Sequence, residues 1–251
     1  MARPLTLITG GTRGIGAATA LRLAADGHDL VLGYATDAAA AETCRAAVED
    51  MGVRCTVLAG DVADPTRVEG LFAAAAREGQ LTGVVNNAGA TLHVGTLAET
   101  DPAVIQRTVD LNLSGALYVA RAAVRALARS YGGGGGVLVN ISSAAATLGS
   151  PGEYVQYAAA KAGVDALTTG LAQEVARDDV RVVGVAPGMV RTRIHEDAGD
   201  PDRLERLADS VPVGRPGEAS EIAEAIAWLM SDSASYVTGG RRCASPAAAD
   251  T

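Results

Sequence analysis

Residues 5–16 read LTLITGGTRGIG, and this stretch decides the fold. The apolar and β-branched residues of a strand run into a glycine-rich turn, and an alanine-rich helical pattern begins directly after it. Gly10 permits a tight turn, Gly14 lets the backbone approach anionic oxygens, and Gly16 allows close packing of helix and strand. The N–H groups at the start of the helix then face a pyrophosphate. A glycine-rich turn without a ligand is the alternative.

Outward from this motif, short apolar runs alternate with longer periodic segments. The runs predict strands at 5–8, 29–33, 55–59, 83–86, 137–141 and 182–185. The periodic segments predict helices near 14–25, 38–51, 65–77, 102–129, 155–176 and 220–229. This order predicts an α/β protein, a single doubly wound Rossmann fold with a central parallel sheet flanked by helices on both faces. We expect one domain over residues 1–251, with the glycine run at 132–136 as a surface turn.

Composition excludes several classes of protein. The chain has 251 residues, of which 48% are hydrophobic, and its 21 basic and 29 acidic residues give a net charge of −8. This charge does not favour nucleic acid or an anionic membrane surface. Cys44, Cys55 and Cys243 lack metal-ligand spacing, and no stretch is apolar enough for a membrane span. We therefore expect a cytoplasmic protein that binds no metal, nucleic acid or membrane.

The end of the second predicted strand bears on the type of dinucleotide. An NAD site usually has an acidic side chain there for the ribose 2′-hydroxyl, whereas the sequence has Gly33 and Tyr34. Arg13 and Thr36 can instead hold a 2′-phosphate. Asp37 is close enough to leave NAD(H) as the alternative, although an N-cap of the next helix is its expected role. The pattern favours NADP(H).

Four further motifs, with the glycine-rich turn, carry a family resemblance. They are NNAG at 86–89, Asn112 in an apolar helix, NISS at 140–143 and YAAAK at 157–161. Together they resemble the short-chain dehydrogenase/reductase family, in order from residue 5 to about 239, with the bacterial 3-oxoacyl-carrier-protein reductases and glucose dehydrogenases as the most similar members. The resemblance implies an oxidoreductase that transfers hydride between a nicotinamide and a carbonyl or alcohol. Its implied catalytic residues are Asn112, Ser143, Tyr157 and Lys161.

The chemistry of these residue types agrees with the resemblance. Tyr157 and Lys161 are four apart and share one helix face, so the ammonium is expected to lower the pKa of the phenol. Without the other motifs, an ordinary surface pair would be expected. Ser143 follows a strand and can donate to a developing oxyanion, with Ser142 as the alternative. Asn112 is expected to bind a water that links Lys161 to solvent, or else to be a hydrogen-bonded structural residue.

The cofactor is expected along the turns that follow the strands. The resemblance places Asn87 to Gly89 beside the adenosine, Asp61 and Val62 against the adenine, and Thr192 at the carboxamide. The full set of expected cofactor contacts is Gly10, Thr12, Arg13, Gly14, Ile15, Gly16, Tyr34, Thr36, Asp61, Val62, Asn87, Ala88, Gly89, Tyr157, Lys161, Pro187, Gly188, Val190 and Thr192.

The polar segment at about 190–215 matches the position of the family's mobile substrate lid. Within it His195 either contacts substrate or, on ordinary surface statistics, is a solvated lid residue. Other candidates for the substrate wall are Thr91, Leu92, His93, Glu153, Tyr154, Met189 and Val190.

The C-terminus departs from the family after Gly239. Arg241, Arg242 and Pro246 are poor residues for the apolar seventh strand that the family has there. We hypothesise a reading-frame change near Gly240; a native tail would leave the edge strand, and contacts built on it, in doubt.

The sequence as a whole predicts an NADP(H)-dependent carbonyl reductase or alcohol dehydrogenase that forms a homodimer or homotetramer. The alternatives are an NAD-linked sugar or alcohol dehydrogenase and, from another class, a nucleotide-binding regulator without catalysis. The regulator is the weaker alternative because Tyr157 and Lys161 are both present.

Overall fold

A computed structural model describes residues 3–243, with residues 241–243 described in backbone only. Within this part of the chain, the strands of the main sheet are β1 Leu5–Ile8, β2 Asp29–Tyr34, β3 Cys55–Ala59, β4 Leu81–Asn86, β5 Gly136–Ile141, β6 Val180–Ala186 and β9 Arg241–Cys243, while β7 Val190–Arg191 and β8 Gly217–Glu218 form a separate pair. The seven strands of the main sheet are parallel and lie in the order β3-β2-β1-β4-β5-β6-β9. The order reverses between β1 and β4, where open α/β sheets bind ligands.

The helices connect these strands and cover both faces of the sheet. They are α1 Gly14–Ala25, α2 Ala38–Glu49, α3 Pro65–Glu78, α4 Pro102–Val109, α5 Gly115–Leu127, α6 Ala145–Leu148, α7 Val155–Val175, α8 Arg203–Arg206 and α9 Ala219–Met230. This arrangement confirms the predicted fold class, with several boundaries moved by one or two residues. No helix of the described residues is long and apolar enough to cross a bilayer.

Strand residues alternate between two hydrophobic cores. On one face Ile8 packs with Leu23 of α1 and Ile226 of α9, among other buried residues. On the other face Leu7 packs with residues of α3, α5 and α7, including Phe72. Because both faces are buried, the strands read as nearly continuous apolar runs in the sequence.

The predicted helix over 102–129 is divided in the structure. Its start is confirmed, since the Asp101 carboxylate accepts a hydrogen bond from Ala103 N at 2.7 Å, directly before Pro102. A π-helical turn, Asp110–Ser114, then separates α4 from α5. The Gly115 N–H donates to the Asp110 carbonyl, five residues back. A π-turn inserts one residue into a helix, and periodicity alone does not reveal it.

The C-terminal segment forms a strand despite its sequence. The backbone of β9 pairs in parallel with β6, so the two arginines do not prevent an edge strand. Pro246 and the rest of the proposed frame-shifted tail lie outside the described residues. The lid segment contains β7 Val190–Arg191, which pairs with β8 Gly217–Glu218, and the short helix α8.

Candidate active site

A cleft of about 920 Å³ lies at the carboxyl ends of the strands. It is lined by residues of the glycine-rich turn, by the segments that follow β2, β4, β5 and β6, and by the start of α7. Most of the expected cofactor contacts meet in this cleft: Gly10, Thr12, Arg13, Gly14, Ile15, Tyr34, Thr36, Asn87, Ala88, Gly89, Tyr157, Lys161, Pro187, Gly188, Val190 and Thr192. Such a long cleft fits an extended ligand such as a dinucleotide.

The glycine-rich turn is shaped as a phosphate cradle. Gly10 and Gly14 have φ values of +60° and +50°, which side chains disfavour. Gly16 packs against the loop from inside α1, where a Cβ would lie 2.0 Å from the Gly10 carbonyl oxygen. Asn87 holds the loop from β4, donating from Nδ2 to the carbonyls of Thr9 at 2.9 Å and Gly10 at 3.0 Å. Gly16 therefore supports the cradle, and the open start of α1 can receive an anion.

Asp61 and Val62 lie elsewhere. Within the described chain they line a separate cavity of about 260 Å³ rather than the main cleft. The Asp61 carboxylate forms an ion pair with Arg107 of α4, and Val62 is buried. The sequence does not show this pairing because the two residues are far apart along the chain. Asp61 and Val62 thus line a different cavity from the other expected cofactor contacts, although the preceding residue, Gly60, donates to the Tyr34 carbonyl at 2.8 Å.

Arg13 lies between two carboxylates at one end of the cleft. Its Nη1 is 3.8 Å from an oxygen of Asp37 and 3.8 Å from an oxygen of Asp197 in the lid segment. Asp37 caps α2, as predicted, by accepting from Ala40 N at 3.0 Å. Since Arg13 is half exposed, its guanidinium is accessible to an anionic group.

Ser143, Tyr157 and Lys161 come together in the middle of the cleft. Tyr157 is buried, and its hydroxyl is hydrogen-bonded to the Ser143 side chain. Lys161 Nζ lies 5.7 Å from the centroid of the Tyr157 ring and donates to the Ile141 carbonyl at 2.9 Å. Ser142, the alternative to Ser143, is instead directed at α7 and donates to the Lys161 carbonyl at 3.2 Å.

The pKa values of this group differ from the sequence-based expectation. Burial raises the pKa of Tyr157 above its ordinary value of 10.0, and the hydrogen bond from Ser143 opposes this only in part. Burial also lowers the pKa of Lys161 to about 8. The expected lowering of the Tyr157 pKa was wrong for the protein by itself, because desolvation of the buried phenolate is the largest influence on this pKa. At neutral pH Tyr157 is therefore a phenol and Lys161 is mainly an ammonium.

Asn112 lies in the π-turn and is fully buried. Its Oδ1 accepts from Ala90 N at 3.1 Å, while Nδ2 donates to the carbonyls of Ala90 at 2.8 Å and Thr108 at 2.9 Å. These contacts match the alternative of a hydrogen-bonded structural residue. Asn112 is nevertheless close to Lys161, since both side chains lie beside Gly89. A Cβ added at Gly89 would be 2.7 Å from Asn112 Oδ1 and 3.1 Å from Lys161 Nζ.

The substrate end of the cleft contains His195 and Glu153, which the sequence indicated, and Arg203, which it did not. His195 lines it and is only 8% exposed, so the solvated alternative was wrong. Burial, with the nearby positive charge of Arg203, lowers the pKa of His195 to about 4. Arg203 was missed because an arginine in a polar segment is normally a surface residue. The cleft includes the other expected wall residues Thr91, Leu92, Glu153, Tyr154, Met189 and Val190, while His93 is placed beside Gly95.

Among the described residues, no group of three or more His, Cys, Asp or Glu side chains is placed to hold a metal ion.

Comparisons with known proteins find relatives that are named oxidoreductases and dehydrogenases. A family model described as enoyl-(acyl carrier protein) reductase matches residues 10–243. The chain is 42% identical to the uncharacterized oxidoreductase YgfF of Escherichia coli K12, covering 94% of this chain and 96% of the relative. It is 36% identical to an L-rhamnose 1-dehydrogenase (NAD(P)(+)) of Sphingomonas sp. SKA58, covering 93% and 91%. A short chain dehydrogenase from Burkholderia cenocepacia J2315, solved in complex with NADP, superimposes with a TM-score of 0.88 at 30% identity over 96% of this chain and 95% of that one.

Proposed function

This chain belongs to the short-chain dehydrogenase/reductase family and is an oxidoreductase of alcohol and carbonyl groups, and from that premise we propose that it is an NADP(H)-dependent ketoreductase. The observation that carries the proposal is the buried Tyr157 hydroxyl, hydrogen-bonded to Ser143 in a cleft that Lys161 also lines. We propose that residues 1–251 act as one domain, with 190–215 as the substrate lid. Enzyme relatives make the regulator alternative untenable.

The chain can hold the cofactor with the residues that line the cleft. The open N-terminus of α1 would receive the pyrophosphate, and Asn87 to Gly89 would border the adenosine side. Pro187 to Thr192 would border the nicotinamide, with the Thr192 hydroxyl at its carboxamide. The Gly16 and Gly89 positions fit this role, since an added Cβ at either would meet another atom within 3.0 Å.

When bound, the dihydronicotinamide supplies the hydride that reduces the carbonyl carbon. The Ser143 hydroxyl donates a hydrogen bond to the carbonyl oxygen, where negative charge develops. Tyr157 gives its proton to that oxygen, and the Lys161 ammonium stabilises the phenolate that results. The phenol is the form of Tyr157 present at neutral pH, since burial holds its pKa above 10.0, and this form carries the proton that reduction requires. Asn112 holds the Ala90 backbone beside Lys161.

The preference for NADP(H) rests on Arg13. Arginine binds phosphate through charge-assisted hydrogen bonds, and Tyr34 and Thr36 leave no acidic side chain at the end of β2. The structural neighbour that holds NADP supports the same choice. NAD-linked oxidation of a sugar or alcohol is the second candidate, favoured by Asp37 beside Arg13 and by the relative named as an L-rhamnose dehydrogenase.

We further propose a cytoplasmic homodimer or homotetramer that acts on small carbonyl or alcohol substrates, without nucleic acid or membrane. Trp228 on α9 is 43% exposed and the nearby Tyr236 fully exposed, which suits contact with another copy. Light scattering of the purified protein would measure the assembly, and a monomer at micromolar concentration would contradict it.

A panel of ketones, aldehydes and alcohols, followed at the nicotinamide absorbance with each cofactor, tests the function. We expect carbonyl reduction with NADPH and a kcat/KM at least about tenfold lower with NADH, the factor that corresponds to one charge-assisted contact. Preferential oxidation of sugars with NAD would support the second candidate instead.

A further inference from the structure

An ion pair between a buried arginine and a partly exposed glutamate, at the substrate end of the cleft, has no part in the proposed chemistry. Arg203, the first residue of α8, is only 5% exposed. Its guanidinium binds both carboxylate oxygens of Glu153, with 2.6 Å between Nη2 and Oε2. Burying the Arg203 charge is costly unless it is paired, and the contact with Glu153, whose side chain is 29% exposed, offsets much of that cost although Arg203 Nε has no hydrogen-bond partner among the described residues. The lid is therefore fastened at this point to the segment before α7.

Arg203 also contacts the side chain of Tyr154. Its Nη2 donates to the Tyr154 hydroxyl at 3.0 Å, and the guanidinium carbon lies 5.2 Å from the centroid of that ring. The Tyr154 ring in turn meets Tyr157 edge to face, with centroids 5.6 Å apart and an interplanar angle of 89°. A continuous series of contacts thus runs from the lid through Tyr154 to the proposed proton donor.

The backbone strengthens this connection. Tyr154 immediately precedes α7, and its carbonyl accepts hydrogen bonds from the N–H groups of Tyr157 at 3.0 Å and Ala158 at 3.1 Å. The Glu153 carbonyl accepts from Gly95 N at 2.6 Å, which holds the same segment to the loop after β4. A shift of the Tyr154 ring therefore acts on the first turn of α7, where the Tyr157 hydroxyl is aimed into the cleft.

We propose that Arg203 is a positioning residue that couples the seated lid to the alignment of Tyr157, acting through Tyr154. With Arg203 on Glu153, the Tyr154 ring supports one side of the Tyr157 ring and keeps its hydroxyl at Ser143. When the lid moves away, the support is lost, and proton transfer is slow until the lid closes again. The inference rests on the proposed function, in which Tyr157 supplies the proton.

Arg203→Met tests this inference, with Arg206→Met as the matched control. Arg206 lies in the same short helix but forms an exposed ion pair with Asp200. We expect Arg203→Met to lower kcat at least tenfold, with KM for the carbonyl changed less than threefold and NADPH affinity within twofold. Arg206→Met should leave all three within twofold. An Arg203→Met enzyme with kcat within twofold of wild type would overturn the inference.

Tyr154→Phe separates positioning from a structural role. This variant keeps the ring and the ion pair and removes only the hydroxyl that accepts from Arg203. If Arg203 acts through Tyr154, the double variant Arg203→Met/Tyr154→Phe loses no more kcat than Arg203→Met alone. Losses that multiply would contradict this route.

A double variant that removes the charges of both Arg203 and Glu153 controls for a loss of folding stability. Arg203→Met leaves Glu153 without its buried partner, which destabilises the protein, whereas Glu153→Gln/Arg203→Met leaves no uncompensated charge. We expect this double variant to recover the melting temperature while kcat stays low; recovery of both would show a structural role and overturn the inference. A wild-type protein inactive on every carbonyl with NADPH would overturn the proposed function, and this inference with it.

Discussion

Replacing Lys161 by methionine tests whether burial lowers the pKa of this lysine and so makes the stability of the protein depend on pH. Lys161 is 3% exposed, and burial lowers its pKa from 10.5 to about 8. In the unfolded chain the lysine regains its ordinary value. Between pH 8 and 10.5 the unfolded chain therefore binds a proton that the folded protein does not bind, so stability rises with pH across this window. Below pH 8 the folded protein carries the full cost of the buried ammonium.

The magnitude follows from the shift in pKa. The difference between 10.5 and about 8 corresponds to about 3 kcal/mol of unfolding free energy at low pH. Integrating the linkage relation, roughly 2 kcal/mol of this cost is relieved between pH 7 and 9.5. Lys161→Met lacks the titrating group, so its stability does not gain this increment. The stability advantage of the variant over wild type is thus expected to shrink by roughly 2 kcal/mol over that interval.

Urea unfolding of both proteins, at half-unit steps from pH 6 to 9.5, measures the difference. Groups other than Lys161 are common to the two proteins, so their titration cancels in the comparison. Below pH 7 the difference should be constant, which serves as the internal control. A difference that stays constant up to pH 9.5 would refute the reasoning, because the lysine would then have the same pKa in the folded and unfolded states.

Two further predictions concern the buried polar contacts and the cofactor. Thr168→Val removes the hydroxyl that accepts from Asn140 Nδ2 at 3.0 Å inside the core and should cost about 1–3 kcal/mol in urea unfolding. Thr169→Val removes an exposed hydroxyl that donates to the Asp165 carbonyl at 3.1 Å, one turn earlier in α7, and should change stability by less than about 0.5 kcal/mol. Equal losses of stability in the two variants would contradict the account. Arg13→Ala should weaken NADPH binding about tenfold and leave NADH binding within about twofold, as measured by cofactor fluorescence, and equal losses for both cofactors would exclude a role at the 2′-phosphate.

The sequence predicted the sheet and the place of the cleft because both follow from local patterns. Residues 5–16 specify a strand, a turn and a helix through glycine spacing and apolar period, and Asp101 before Pro102 is a sequence pattern typical of a helix start. Asp101 caps α4 as its spacing indicates. Parallel strands then bring the segments after β1, β4 and β5 to one edge, where the expected cofactor contacts line the cleft.

The features of the site that the sequence did not predict depend on contacts between distant parts of the chain. The ion pair of Asp61 with Arg107 joins residues far apart along the chain, and only folding brings the two together. Burial of His195 and Arg203 is set by how residues 190–215 pack on the rest of the chain, whereas their polar sequence context suggests a surface. The raised pKa of Tyr157 likewise reflects its surroundings rather than its spacing from a lysine.

Tyr157→Phe tests the central claim most directly, since it removes one oxygen and keeps the ring that packs against Tyr154. Cofactor binding and carbonyl reduction should be measured on the same preparation, with NADPH affinity by fluorescence and turnover by absorbance. We predict NADPH affinity within about twofold of wild type and a kcat lower by about 10²–10⁴-fold, the contribution expected of a general acid. A variant that binds NADPH normally and retains most of its turnover would contradict the assignment of Tyr157 as the proton donor.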